Sequence, residues 1–172
     1  MKKTFLNFLI LTTTIFFSAV NAVEICNDKQ VLGVIEKVQL AEQHVVLDAK
    51  LDTGADMSSL SATDVSMFTH DNKTFVHFTV YIPAIQQKII LNAPLIDYAR
   101  IRVRHEANTT QEYVDRPVIS LPVCINKQRV TLPMNLTDRT NLEYPMLIGK
   151  DVLERLHILV DVSQKYSVTP DC

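Results

Sequence analysis

Asp52, Thr53 and Gly54 close an apolar run, and the chain concentrates its chemistry in this triplet. Val45, Val46, Leu47, Ala49 and Leu51 lead into it, so Asp52 is delivered at the mouth of a strand on a rigid scaffold. Gly54 lets the chain bend back, or a second backbone approach, where a Cβ would clash. One carboxylate on a stiff turn is half of an acid–base pair that works by sharing a proton. Far along the chain, Met146-Leu147-Ile148-Gly149-Lys150-Asp151 is a second apolar stretch broken by a glycine. There are only 3 glycines, Gly33, Gly54 and Gly149, well under the roughly 7% of an average protein. Two of them fall in these two stretches, as expected where backbone geometry demands them.

The elements that must position these residues read as short strands. Val31 to Leu40 is one, and Gln43-His44 turns into the Val45–Leu51 strand that carries Asp52. Ser61-Ala62-Thr63-Asp64 reads as the start of a helical turn. Val76, Phe78, Val80 and Ile82 alternate with polar residues, and Lys88–Leu91 is a further short strand closed by Asn92-Ala93-Pro94. Arg100 to Pro117 reads as a long hairpin with a polar tip, and Asn126-Lys127 as the turn of a second one. Pro133, in the return strand of that second hairpin, argues for an edge or a bulge. Pro145 to Gly149 is a buried strand, Asp151–Leu156 a short helix, and Ile158–Val162 the last strand. The expected fold is all-β: a single-domain closed barrel with one short helix after Leu147-Ile148-Gly149.

The two ends and the composition narrow the setting. Basic Met1-Lys2-Lys3, an apolar run over Phe5–Val20 and small residues ending at Ala22 fit a secretory signal, residues 1–22, with the domain in 23–172. The expected location is periplasmic or secreted, with no membrane span after signal cleavage. The net charge of −2 falls to about −4 once Lys2 and Lys3 are removed, which gives no electrostatic case for nucleic acid. Cys26, Cys124 and Cys172 are an odd number for an oxidising compartment, and their spacing does not choose among the three pairings.

Leu51-Asp52-Thr53-Gly54-Ala55 and Met146–Asp151 together resemble the paired signatures of retropepsins, the single-domain homodimeric aspartic proteases of the retroviral type. Arg116-Pro117-Val118-Ile119, Leu136-Thr137-Asp138-Arg139 and Tyr144–Gly149 are similar to a bacterial branch often labelled "ATP-dependent zinc protease". The likeness runs from about Val31 to Tyr166. It implies that Asp52 is the catalytic carboxylate, set beside its copy from a second subunit. Two carboxylates so close cannot both ionise, so one holds a proton while the other takes one from water. Thr53 would tie the two active-site loops together across the dimer, and Gly54 would allow the close approach. Ala55, Asp56, Ile148, Gly149 and Lys150 would support the site. Asp56 is expected either to pair with Lys150 and buttress the turn or to remain, like it, a solvated charge. One triplet per chain implies a twofold homodimer. Ala55 has no hydroxyl to favour the charged pair, so an optimum nearer neutral pH than the gastric type is expected.

The Arg100–Pro117 hairpin takes the place of the substrate-covering flap. Its tip, with His105, Glu106, Ala107, Asn108, Thr109 and Thr110, has no glycine, unlike the retroviral pattern. Arg100, Arg102 and Arg104 share one strand face. That face is either solvated and paired with Glu112 and Asp115, or an attraction for an acidic substrate. His44, His70, His77, His105 and His157 are scattered singly, without His-Glu-x-x-His, and no Gly-rich phosphate loop occurs. No metal and no cofactor are expected. Two functions remain: an exported aspartic endopeptidase acting on a protein or peptide, and a non-catalytic periplasmic binding or regulatory module on the same fold.

Overall fold

The computed structural model describes residues 28–102 and 113–172. The strands are β1 (Gln30–Leu40), β2 (Val45–Leu51), β3 (Ser59–Ser61), β4 (Thr63–His70), β5 (Lys73–Ile82), β6 (Gln87–Arg102), β7 (Tyr113–Ile125), β8 (Gln128–Thr137), β9 (Met146–Ile148) and β10 (Ile158–Lys165). The one α-helix among the described residues is α1 (Lys150–Arg155). Hydrogen-bonded neighbours run β10-β1-β2-β9-β3-β8-β7-β6-β5-β4, and a further β1–β7 pairing closes six of them into a ring. The closure is short: Gln39 and Leu40 face Cys124 and Val123. On that same edge of β1 the first residues, Gln30 to Gly33, pair in parallel with β10.

Alternation explains the ring. Leu32, Val38 and Leu40 of β1 point inward and meet Leu51, Leu132 and Met146 in one core. Each such side chain contributes roughly 1.5–3 kcal/mol on burial. The decisive element for the site is β9. It lies between β2 and β3, parallel to the first (Leu51 opposite Ile148) and antiparallel to the second (Leu60 opposite Met146). Strands distant in sequence thereby end side by side.

Two sequence expectations are corrected. Ser61–Asp64 is not a helical turn; Ser61 ends β3 and Thr63 begins β4. The Ala62 amide donates to the Thr137 carbonyl and the Ser61 hydroxyl accepts the Arg139 amide, so sheet pairing outcompetes the local start signal. Asn92-Ala93-Pro94 does not close a strand either, because β6 continues through it to Arg102. Pro94 pairs with Phe75 at the end of the β5 ladder, and from Leu95 the strand pairs with β7. A residue without an amide hydrogen is tolerated at such a change of partner.

The hairpin arms are present, with Arg102 opposite Tyr113 and Arg100 opposite Asp115. The flap tip, His105 to Thr110, lies outside the described residues, as do Arg104, Glu112, Cys26 and residues 1–22. Asn126 and Lys127 both have positive φ, 47° and 60°, the geometry of a tight two-residue hairpin turn. Pro133 lies where β8 pairs with β7 but not with β3, hence at an edge. Cys124, in β7, is joined to Cys172 with a Cα–Cα distance of 5.9 Å, which settles the pairing among those two. No helix among the described residues is long and apolar enough to cross a membrane.

Candidate active site

Asp52 stands one residue past the end of β2, and its amide donates to the Ile148 carbonyl at 2.8 Å, extending the β2–β9 pairing into the turn. Its carboxylate Oδ1 accepts the Gly54 amide at 2.9 Å, and the Asp52 carbonyl accepts the Ala55 amide at 3.2 Å. The side chain is thus aimed by its own turn. Gly54 is not in the left-handed region, so bending back is not what demands glycine here. A Cβ on Gly54 would come 3.2 Å from Asp52 Oδ1, close enough to press on the carboxylate.

The turn is clamped to the start of α1. Lys150 donates its amide to the Ala55 carbonyl at 2.8 Å, and its ammonium lies 2.7 Å from Asp56 Oδ1. That hydrogen bond, reinforced by the charge, holds the Asp56 carboxyl below its ordinary value and the Lys150 ammonium above its own. Of the two alternatives, paired or solvated, the pair is formed, with the Asp56 side chain still 92% exposed. At Gly149 a side chain has no room: a Cβ there would lie 2.7 Å from the Met57 carbonyl carbon and 2.9 Å from the Ala55 oxygen. Ile148 and Gly149 are buried. Thr53 is exposed and lines a different cavity, with Lys150, Glu154 and Ile158.

Several further residues build the site; Lys50 and Ser58 carry no local sequence signal, whereas Arg116 and Arg139 fall in the stretches that carry the family resemblance. Lys50 places its ammonium 3.7 Å from Asp52 Oδ2. Ser58, fully buried, bridges Gly149 and Asp151. Its carbonyl accepts both the amide and the side-chain Nδ2 of Asn135, and Asn135 Oδ1 accepts from Arg116. Arg139 donates through Nε to the Tyr144 carbonyl and through Nη1 to Ser59 Oγ, each at 3.1 Å. Burial lowers the proton affinity of the Arg139 guanidinium, the neighbouring Arg116 lowers it further, and the charge of Asp52 opposes both. Arg116 is lowered by burial as well.

Asp52 opens into a cavity of about 410 Å³, shared with Ile35, Lys50, Arg139, Tyr144 and Leu147. Arg139 and Leu147 also line a second cavity of about 480 Å³, with Ala55, Asp56, Arg100, Arg102 and Arg116. Arg139 and Leu147 border both cavities, so the Asp52 cavity adjoins one rich in arginine. Arg100 stacks over the Tyr113 ring at 4.9 Å. Among the described residues no group of three His, Cys, Asp or Glu side chains is arranged around a metal-sized site.

Comparisons with known proteins bear on the family and the fold. A Legionella pneumophila protein of unknown function (DUF785), known from a crystal structure, superposes with a TM-score of 0.69 at 25% identity, over 81% of this chain and 98% of that one. A probable alpha-L-glutamate ligase of Desulfotalea psychrophila is 27% identical over 134 residues, 76% of this chain and 28% of that protein. One from Shewanella halifaxensis is 26% identical over 70% of this chain and 25% of its own length. The chain thus spans about a quarter of the length of these curated relatives. Residues 31–171 match the model of the RimB-like family, described as retropepsin-like aspartic endopeptidase RimB, and the chain belongs to that family.

Proposed function

We propose that the protein is an aspartic endopeptidase that assembles its site from Asp52 of two identical subunits. One observation carries this reading: Asp52, in a family of aspartic endopeptidases, is held by the Gly54 amide and lines a cavity, one such triplet per chain. With the two carboxylates together and one proton between them, the charged one takes a proton from a water that attacks the peptide carbonyl. The neutral one gives its proton to the carbonyl oxygen as the tetrahedral centre forms. In this reading Thr53, which is exposed beside Asp52, supplies the contact across the twofold axis.

The preferred substrate is a peptide with acidic side chains. Arg100, Arg102, Arg116 and Arg139 line the cavity next to the Asp52 cavity, and guanidinium groups bind carboxylates in paired hydrogen bonds. The relatives named as glutamate ligases fit a glutamate-rich substrate. Export agrees with the Cys124–Cys172 disulfide, since such bonds persist in oxidising compartments.

The test compares wild type with Asp52→Asn on unfolded proteins and on glutamate-rich peptides, reading new termini by mass spectrometry and assembly by sedimentation. New termini that vanish in the variant, from a protein that sediments as a dimer, are expected. Cleavage that survives the substitution, or a strictly monomeric active species, overturns the reading.

A further inference from the structure

Among the described residues, the Asp52 cavity holds one cation in an ion pair with the acid that the proposed chemistry would use. Lys50 Nζ is 3.7 Å from Asp52 Oδ2, with the two side chains 46% and 30% exposed. An ion pair so open to water is weakly held and is easily exchanged for another partner. Its setting is asymmetric. In the ladders, Lys50 lies directly across from Ile35 on one side and Leu147 on the other, and all three line the Asp52 cavity. The ammonium is therefore framed by two apolar side chains, with Leu142 also in the wall.

Arg139, the other cation of this cavity, is tied down by Tyr144 and Ser59 and cannot swing. Lys50 has a flexible stem and, among the described residues, a single ion-pair partner. A substrate side chain lying across Ile35 and Leu147 would cover Lys50 and remove its water. A covered ammonium needs a carboxylate. Asp52 pairs with it in the free protein, Glu143 of the same cavity wall is engaged by the Tyr144 hydroxyl, and an acidic substrate supplies another.

We propose that Lys50 is a specificity-determining residue that makes the cleft select an acidic side chain next to the bond to be cut, by moving from Asp52 to the substrate's carboxylate. This deepens the endopeptidase reading and, for its effect on turnover, rests on it. A neutral side chain leaves Lys50 on Asp52, where the ammonium and the shared proton compete for the same oxygens. An acidic side chain draws it away and frees Asp52 for the second subunit's carboxylate. No bond is made or broken in this step, only the partner of one ammonium changes.

The experiment uses two peptides that differ only in Glu or Gln beside the cut bond, each also made with a reduced, uncleavable amide. Wild type, Lys50→Met, Lys50→Gln and Lys50→Arg are compared by kcat and KM on the first set and by Kd on the second. Wild type is expected to favour the Glu peptide by about tenfold or more, as for a charge pair removed from water. Either neutral variant is expected to lose that preference with a higher kcat on the Gln peptide, while Lys50→Arg keeps most of it. A purely structural role for Lys50 would lower both peptides equally. An unchanged Glu-to-Gln ratio in folded Lys50→Met and Lys50→Gln overturns the proposal even if Asp52-dependent cleavage is intact. If wild type cuts neither peptide, a Lys50-dependent Kd preference for the Glu form upholds the selection and no preference overturns it, while the endopeptidase reading is decided separately by the Asp52→Asn comparison.

Discussion

The hydroxyl of Ser58 accepts the Gly149 amide at 2.9 Å and donates to Asp151 Oδ1 at 3.0 Å, joining residues 91 and 93 positions away in sequence. This one side chain closes the loop after Asp52 onto the start of α1. Asp151 Oδ1 also accepts the Ser58 amide, whereas Asp151 Oδ2 is buried without a partner.

Ser58→Ala leaves the buried Gly149 amide without its acceptor and removes a donor from a carboxylate that already lacks one. The cost of such orphaned groups is about 1–3 kcal/mol. Urea unfolding should show that loss for Ser58→Ala and a smaller one for Ser58→Thr, which keeps the hydroxyl. Equal losses in both would mean that packing and not the hydrogen bonds sets the stability here.

The Asp56–Lys150 pair has a definite pH signature. Lys150 depresses the Asp56 carboxyl below its ordinary 3.8, so the contribution of Asp56 is complete above that pH and is lost as pH falls through the depressed value. Asp56 raises the Lys150 ammonium above its ordinary 10.5, so its contribution is complete below that pH and is lost as pH rises through the raised value. Wild type and Asp56→Asn should therefore differ in stability by a constant amount between about pH 4 and 10. The gap should narrow in strong acid and strong base. Melting curves across pH measure it, and a gap confined to one side of neutrality contradicts the pair.

Glu36, a fully buried acid of β1, fastens the chain after β10 to the ring. Its Oε1 accepts the Gly33 amide at 2.7 Å, the Ser167 amide at 3.0 Å and the Ser167 hydroxyl, and its Oε2 accepts the Val168 amide at 3.3 Å. Glu36→Gln sets an NH2 group against donors and removes the charge that strengthens them, at a cost of about 1–3 kcal/mol. Hydrogen exchange should quicken first at Ser167 and Val168, ahead of the ring strands. Uniform acceleration across the chain would show that the segment is not a separate unit.

The Cys124–Cys172 bond ties down the end of that same segment across a separation of 48 residues. Loop-closure entropy for this length corresponds to about 4 kcal/mol. Cys172→Ser should lower the unfolding free energy by an amount of that order, and added reductant should bring wild type down to the variant. A difference that persists after full reduction would belong to the side-chain change at residue 172 and not to the cross-link.

How much was legible depends on the range of the forces involved. The Asp52 turn, the Gly149 break, the hairpin at Asn126-Lys127 and the helix after Gly149 are local patterns, and alternation and turn chemistry report them directly. Pro94 misled because a proline ends a strand only when its missing hydrogen bond is needed there. It falls where β6 changes partner, a fact that no window of sequence contains.

From the order of its residues alone, this protein determined an all-β chain, a carboxylate presented on a rigid turn, and a second stretch able to support it. Tertiary structure decided which side chains surround that carboxylate. Inserting β9 between β2 and β3 brings Gly149 against Met57, Ser58 onto Asp151, and Arg139 into the cavity of Lys50 and Asp52. Those meetings follow from pairing between strands far apart along the chain, and such pairing is selected by burial of the whole core and not by any neighbouring residues.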